Sequence, residues 1–135
     1  MITEKMKNIV FYIKTDVDNK MRKYNLTTVQ ILLLEFLNNN RDKEIIQKDI
    51  CEHLSLKHST IINILKRLES KELITKKTNY KSVISITDKG KELLKKLGVK
   101  TGFIEDILLN GFTKEEIEVL SSQLDSMFKN VSNTK

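Results

Sequence analysis

Between Ile45 and Thr87 the hydrophobic pattern changes from a helical period to a strand period, and that order constrains the rest of the chain. Ile45-Ile46-Gln47-Lys48-Asp49-Ile50-Cys51-Glu52-His53-Leu54 reads as a first helix. Lys57-His58-Ser59-Thr60-Ile61-Ile62-Asn63-Ile64-Leu65-Lys66-Arg67-Leu68 reads as a second. Leu73 to Lys77 and Lys81 to Ile86 read as two short strands around a basic tip. Helix, tight turn, helix and hairpin in this order place one helix in a DNA groove and flank it with cations.

The charge distribution points the same way. Residues 57–81 hold Lys57, Lys66, Arg67, Lys71, Lys76, Lys77 and Lys81 against Glu69 and Glu72, which is five of the chain's net six positive charges. Neutralising phosphate requires such a local cluster, because counterion release scales with the charges at the contact. The plainer reading is a solvated basic face. Its coincidence with a groove-sized fold element favours the first.

Bulk properties set the limits. A chain of 135 residues is about one domain with a single small core. No run of roughly 18 apolar residues offers a membrane span. The first residues, Met1-Ile2-Thr3-Glu4-Lys5, lack the basic-then-apolar order of a secretory leader. One cysteine rules out an intrachain disulfide framework and fits a reducing cytoplasm. The absence of proline and the scarcity of glycine suit a mostly helical chain.

Outside the central motif the pattern is helical. Ile2, Met6, Ile9, Ile13, Val17, Met21 and Tyr24 recur at three- and four-residue steps and predict an amphipathic helix over 3–24. Asn25-Leu26 breaks it, and Thr27 with Gln30 forms a capping-box pattern that opens a very apolar helix from Val29 to Leu37, the expected centre of the core. Thr87 is placed to cap a helix carrying Leu93, Leu94 and Leu97, which Gly98 ends or interrupts. Phe103, Ile104, Ile107 and Leu108 make a second apolar patch. Thr113 and Glu116 open a last helix with Ile117, Leu120, Leu124, Met127 and Phe128 on one stripe. The stripes of the two terminal helices either pack on the back of the central unit or form a two-fold interface.

The expected class is therefore mostly α with a small β-hairpin wing: a winged helix-turn-helix over residues 26–97, flanked by helices over 1–25 and 98–135. Ile50, Leu54, Ile61, Ile64, Leu65 and Leu68 are the expected inward residues. Lys57, His58, Ser59, Thr60, Ile62, Asn63, Lys66 and Arg67 face out or start the second helix, and Lys76, Lys77, Asn79, Tyr80 and Lys81 lie on the wing. Ser, Thr and Asn reach base edges or phosphates, and Lys and Arg reach phosphates. Asn63 is the best base reader, because its amide pairs bidentately with adenine, and Ile62 is suited to a thymine methyl. A solvated Asn and a partnerless surface Ile are the alternatives.

These residues resemble the MarR family of winged-helix transcription regulators. The resemblance runs over almost the whole chain. It is carried by Leu26-Thr27 with Gln30, by Ile50 to Leu54, by Ser59-Thr60-Ile61 leading to Leu65-Lys66-Arg67-Leu68-Glu69, by Leu73-Ile74, and by Ile86-Thr87-Asp88-Lys89-Gly90. It implies a homodimer joined by the N- and C-terminal helices, with Ile2, Met6, Ile9, Ile13, Ile117, Leu120, Leu124, Met127 and Phe128 in the interface. It also implies a recognition helix at about 57–69, a wing at about 75–86, repression through double-stranded DNA, and release by a small-molecule effector or by thiol oxidation. Phe11, Tyr12, Phe103 and Phe112 are loose candidates for an effector pocket. The chain departs from the pattern in three ways: Glu72 stands where the family often has Gly, the wing is shorter and lacks the Asp-x-Arg of its tip, and Lys57 replaces a capping Ser.

Other chemistry finds little support. Cys51 falls where a small buried residue is usual, so packing outweighs a redox role. His53 and His58 have no structural-zinc spacing, and no metal or other cofactor is expected. Asp16, Asp18, Glu105 and Asp106 read as solvated charge. No nucleophile–base arrangement and no glycine-rich phosphate loop suggests an enzyme. A protein-binding adaptor and a sequence-blind architectural DNA binder remain as alternatives, separated from a DNA reader by salt slope and sequence preference.

Overall fold

The computed structural model describes residues 1–78, 82–98 and 103–133, without the side chains of Thr78 and Phe103. Its order is α1 (Ile2–Met21), a 3-10 turn (Arg22–Tyr24), α2 (Thr28–Asn39), α3 (Gln47–Leu54), α4 (His58–Ser70), β1 (Ile74–Thr78), β2 (Ser82–Ile86), α5 (Asp88–Lys96), α6 (Phe103–Leu108) and α7 (Lys114–Ser132). The chain divides into two units, Met1–Thr101 and Gly102–Lys135.

In the first unit α2 is the central beam. Its start is closed by the expected box: Thr27 N donates to Gln30 Oε1 at 3.1 Å and Gln30 N donates to Thr27 Oγ1 at 3.3 Å. Asp18, expected as solvated charge, instead lies half-buried and ties α1 to this end. Its Oδ1 accepts from both Thr28 N and Thr28 Oγ1, each at 2.6 Å. A carboxylate at a helix N-terminus satisfies free N–H groups and opposes the positive end of the dipole. Ile31, Leu33, Leu34 and Leu37 are buried and pack α2 against α3, α5 and β2. Each such side chain contributes about 1.5–3 kcal/mol by leaving water.

Three closures in this unit use the left-handed conformation without glycine. Asn25, Ser55 and Glu72 have φ of 56°, 53° and 61°. At each, the next N–H reaches back five residues: Leu26 to Met21 O, Leu56 to Cys51 O and Leu73 to Leu68 O. These bonds satisfy carbonyls that a helix end leaves open. The position where the family often has Gly is thus a true left-handed site, and Glu72 occupies it at a backbone cost of about 1–2 kcal/mol. Ser55 does the same at the turn between α3 and α4.

The hairpin is antiparallel, with Ile74 opposite Ile86, Lys76 opposite Ile84 and Thr78 opposite Ser82. Ile84 N also donates to Ile45 O at 2.8 Å, which anchors β2 to the segment before α3. Thr87 caps α5 as expected, accepting from Gly90 N at 3.0 Å. It also donates to Glu72 O at 2.7 Å, joining the end of the hairpin to the end of α4. Gly90 shows why this motif needs glycine. A Cβ there would stand 2.5 Å from Leu73 O and 2.7 Å from Ile86 Cγ1.

The second unit holds α6 and α7. Thr113 and Glu116 form the expected capping box, at 2.9 and 3.1 Å. Gly111 turns the chain before it with φ of 87°. No described side chain of α7 is buried, and Leu124 and Phe128 are well exposed. On α1, Ile2, Met6 and Ile9 are likewise exposed, Ile13 is half-buried, and Val17 alone is buried. Each helix therefore carries an apolar face that its own unit leaves uncovered.

Replacing Gly90 by Ala forces the Leu73 carbonyl or Ile86 to move. It is expected to lower stability by about 1–3 kcal/mol, measured by chemical denaturation. An unchanged midpoint would show that the hairpin yields freely at this contact.

Candidate nucleic-acid interface

Helix α4 presents two distinct faces. Ile61, Leu65 and Leu68 are buried inward against the unit's core. Lys57, His58, Ser59, Thr60, Ile62, Asn63, Lys66 and Arg67 are all exposed, as expected from the helical period. Lys57 is the N-cap and makes no side-chain cap bond, since an ammonium cannot accept one. Ile62 keeps 39% exposure and is open to contact with another molecule.

The hairpin separates its two adjacent lysines, because successive strand residues point to opposite faces. Lys76 pairs with buried Ile84 and shares its face, while Lys77 pairs with Val83 on the other. Lys76 therefore lines a groove of about 140 Å³ between α4 and the hairpin, with Gln47, Ile62, Lys66 and Glu69 around it. Asn79, Tyr80 and Lys81, expected at the wing tip, lie outside the described residues.

Two further cations of the cluster lie elsewhere. Arg67 and Lys71 line a separate cleft of about 530 Å³ with Asp18, Arg22, Asn25 and Leu26, beside the junction of α1 and α2. The Lys71 ammonium donates to the carbonyl of Asn25. Partial burial, and then the Arg67 guanidinium beside it, hold the Lys71 ammonium below the usual lysine pKa. The basic cluster seen along the chain is thus sorted in space, with Lys66 and Lys76 on one side of α4 and Arg67 and Lys71 on another.

One residue differs from its expected surroundings. His58, expected simply to face out at the start of the second helix, turns its Nδ1 back toward α3, 3.1 Å from Gln47 Nε2 and 3.5 Å from Cys51 Sγ. Gln47 drew no attention in the chain pattern, because its link to His58 spans the crossing of α3 and α4. Its position at the start of α3, opposite the start of α4, is the signal that would have found it. Cys51 is buried within α3, in keeping with a packing role. His53 stacks on Phe36 with centroids 4.2 Å apart and planes 21° apart, while remaining exposed. Among the described residues no three His, Cys, Asp or Glu side chains gather as metal ligands. None of the described helices is long and apolar enough to cross a membrane. Of the loose pocket candidates, Phe11, Tyr12 and Phe112 are exposed.

Comparison with known proteins agrees with this architecture. The MarR family model matches residues 24–81, from the end of the 3-10 turn into the wing. Among solved structures, MepR of S. aureus in complex with DNA superposes with a TM-score of 0.87 at 23% identity, covering 97% of this chain and 96% of MepR. The transcription regulator MarR of Oenococcus oeni PSU-1 gives 0.84 at 26% identity, covering 96% of this chain and 99% of its own. The transcriptional regulator SlyA gives 0.82 at 26%, covering 97% and 94%. No curated protein matches the sequence.

Lys71 is expected to lose its proton before the exposed lysines as pH rises. Its folded value is depressed, so this group adds stability above the ordinary lysine range and loses it as pH falls through the folded value. Titration of the lysine side-chain methylene resonances by NMR checks this, and a Lys71 midpoint at or above the others would contradict it.

Proposed function

We infer, for a chain that belongs to the MarR family of winged-helix transcription regulators, that it binds double-stranded DNA sequence-specifically as a homodimer and represses transcription. Helix α4 enters the major groove and the hairpin lies along the backbone beside it. The observation that carries this reading is the groove-facing set on α4. Short polar Ser59, Thr60 and Asn63 stand with Ile62 and Lys66 on a face wholly outside the core, with Lys76 beside them. Such a surface offers base-edge and phosphate contacts together.

The uncovered apolar stripes support the dimer. Ile2, Met6, Ile9 and Ile13 on α1, and Ile117, Leu120, Leu124, Met127 and Phe128 on α7, form the proposed interface. On this reading residues 1–25 and 98–135 dimerise the chain and residues 26–97 read DNA. A two-fold pair sets its reading helices about 34 Å apart, one turn of duplex. The short wing, without an Arg at its tip in the family's position, gives weaker reading of a narrow minor groove, because Lys fits that groove less well than Arg. The MarR resemblance extends the proposal to a small-molecule effector that releases DNA.

Selection of bound duplexes from a random library at near-physiological salt tests the whole reading. It is expected to enrich an inverted repeat with half-sites about 10 bp apart. Bulk binding without enrichment would point to an architectural protein, and no binding to an adaptor.

Two substitutions test its parts. Asn63→Ala is expected to relax preference at one base position by about 1–3 kcal/mol while leaving other positions unchanged. Equal weakening on every sequence would remove Asn63 from base reading. Leu124→Asp buries an unpaired charge in the proposed interface, and sedimentation should then report a monomer. A persisting dimer would move the interface elsewhere.

A further inference from the structure

The first helix of the motif contributes a residue to the reading face that the basic cluster overshadows. Gln47 is the first residue of α3, half-buried, and lines the same groove as Ile62, Lys66 and Lys76. Its Nε2 lies 3.1 Å from Nδ1 of His58, and the thiol of Cys51 lies 3.5 Å from the same nitrogen. A neutral imidazole has one N–H and one acceptor nitrogen. The nearer neighbour of Nδ1 presents its amide N–H, and the thiol serves as a weak donor or acceptor. That arrangement suits Nδ1 as the acceptor, with the ring hydrogen on Nε2.

We propose that Gln47 is a positioning residue for DNA binding: with Cys51 it holds His58 as the Nε2–H tautomer at the start of α4, where Nε2 donates to a backbone phosphate. This rests on the DNA-binding reading above and adds a contact to it. Three further observations support it. His58 remains exposed although its inner nitrogen is anchored, so the outer nitrogen is available. The anchor fixes the ring before any contact, which reduces the ordering cost of binding. The start of α4 has no side-chain cap, so its N–H groups and the positive end of a 13-residue helix favour an anion beside His58. Gln47 touches no phosphate on this account and acts through the ring it holds.

Nitrogen-resolved imidazole spectra test the orientation on the free protein. The chain has two histidines, so the spectrum of His58→Ala assigns the His58 signals. Wild type is expected to show His58 protonated on Nε2 when neutral, and Gln47→Leu to show a mixture of tautomers. Gln47→Asn, one methylene too short to reach the ring, gives the same change should Leu disturb the groove. On a selected duplex, Gln47→Leu and His58→Ala should each lose about five- to tenfold in affinity, and the double variant no more than His58→Ala alone. A wild-type ring protonated on Nδ1, or losses that add in the double variant, would overturn the proposal. The expected tautomer in a wild-type chain that binds no duplex would overturn the DNA-binding reading, and the phosphate contact with it.

Discussion

The whole outward face of α4 depends on one contact, the burial of Ile61, Leu65 and Leu68 where α4 packs on α3 and β1. A helix that buries three residues at this spacing has no freedom to rotate. Turning it by one residue would put Lys66 where Leu65 sits and Glu69 where Leu68 sits, at a cost of several kcal/mol for the buried charges. The exposed set at 59, 60, 62, 63 and 66 is therefore fixed in direction by side chains that never leave the interior. The hairpin is fixed in turn by Gly90, whose missing side chain lets α5 close on Leu73 and Ile86.

The same packing explains how a glycine-poor chain makes its turns. Asn25, Ser55 and Glu72 adopt left-handed conformations that glycine would adopt more cheaply, and each is held by a hydrogen bond back to its helix. Asn tolerates this conformation best, through its short polar side chain. Glu72 has no such help, and its place is settled by Thr87, which donates to its carbonyl, and by buried Leu73 next to it. Local strain is accepted there because the tertiary contacts on both sides outweigh it.

Charge is distributed less simply than a count along the chain implies. Seven basic residues cluster between 57 and 81, yet among the described ones only Lys66 and Lys76 line the groove beside the hairpin. Lys71 spends its ammonium on a backbone carbonyl, Arg67 turns to a different cleft, and Lys77 takes the opposite face of the hairpin. Electrostatic attraction to a polyanion acts over several ångströms and uses them all. Direct contact uses fewer, so net charge speaks to association and not to recognition.

Hydrophobic period, caps and turn residues are local, and they were legible in the chain itself. The two helices of the motif, the hairpin, the capping boxes at Thr27 and Thr113 and the cap at Thr87 all stand within a residue or two of where the pattern places them. The inward and outward residues of α4 were legible for the same reason, since a period of 3.6 assigns them without reference to partners. Asp18 against Thr28, Gln47 against His58, Phe36 against His53 and the sorting of Lys71 away from Lys76 were not. Each joins residues whose meeting depends on how two elements cross, and a crossing is decided by the whole core. The sequence by itself determined which surfaces exist. Only the tertiary structure decided which of those surfaces face one another, because packing at close to crystalline density leaves a single arrangement in which the inward residues of α2, α3, α4, the hairpin and α5 are buried together.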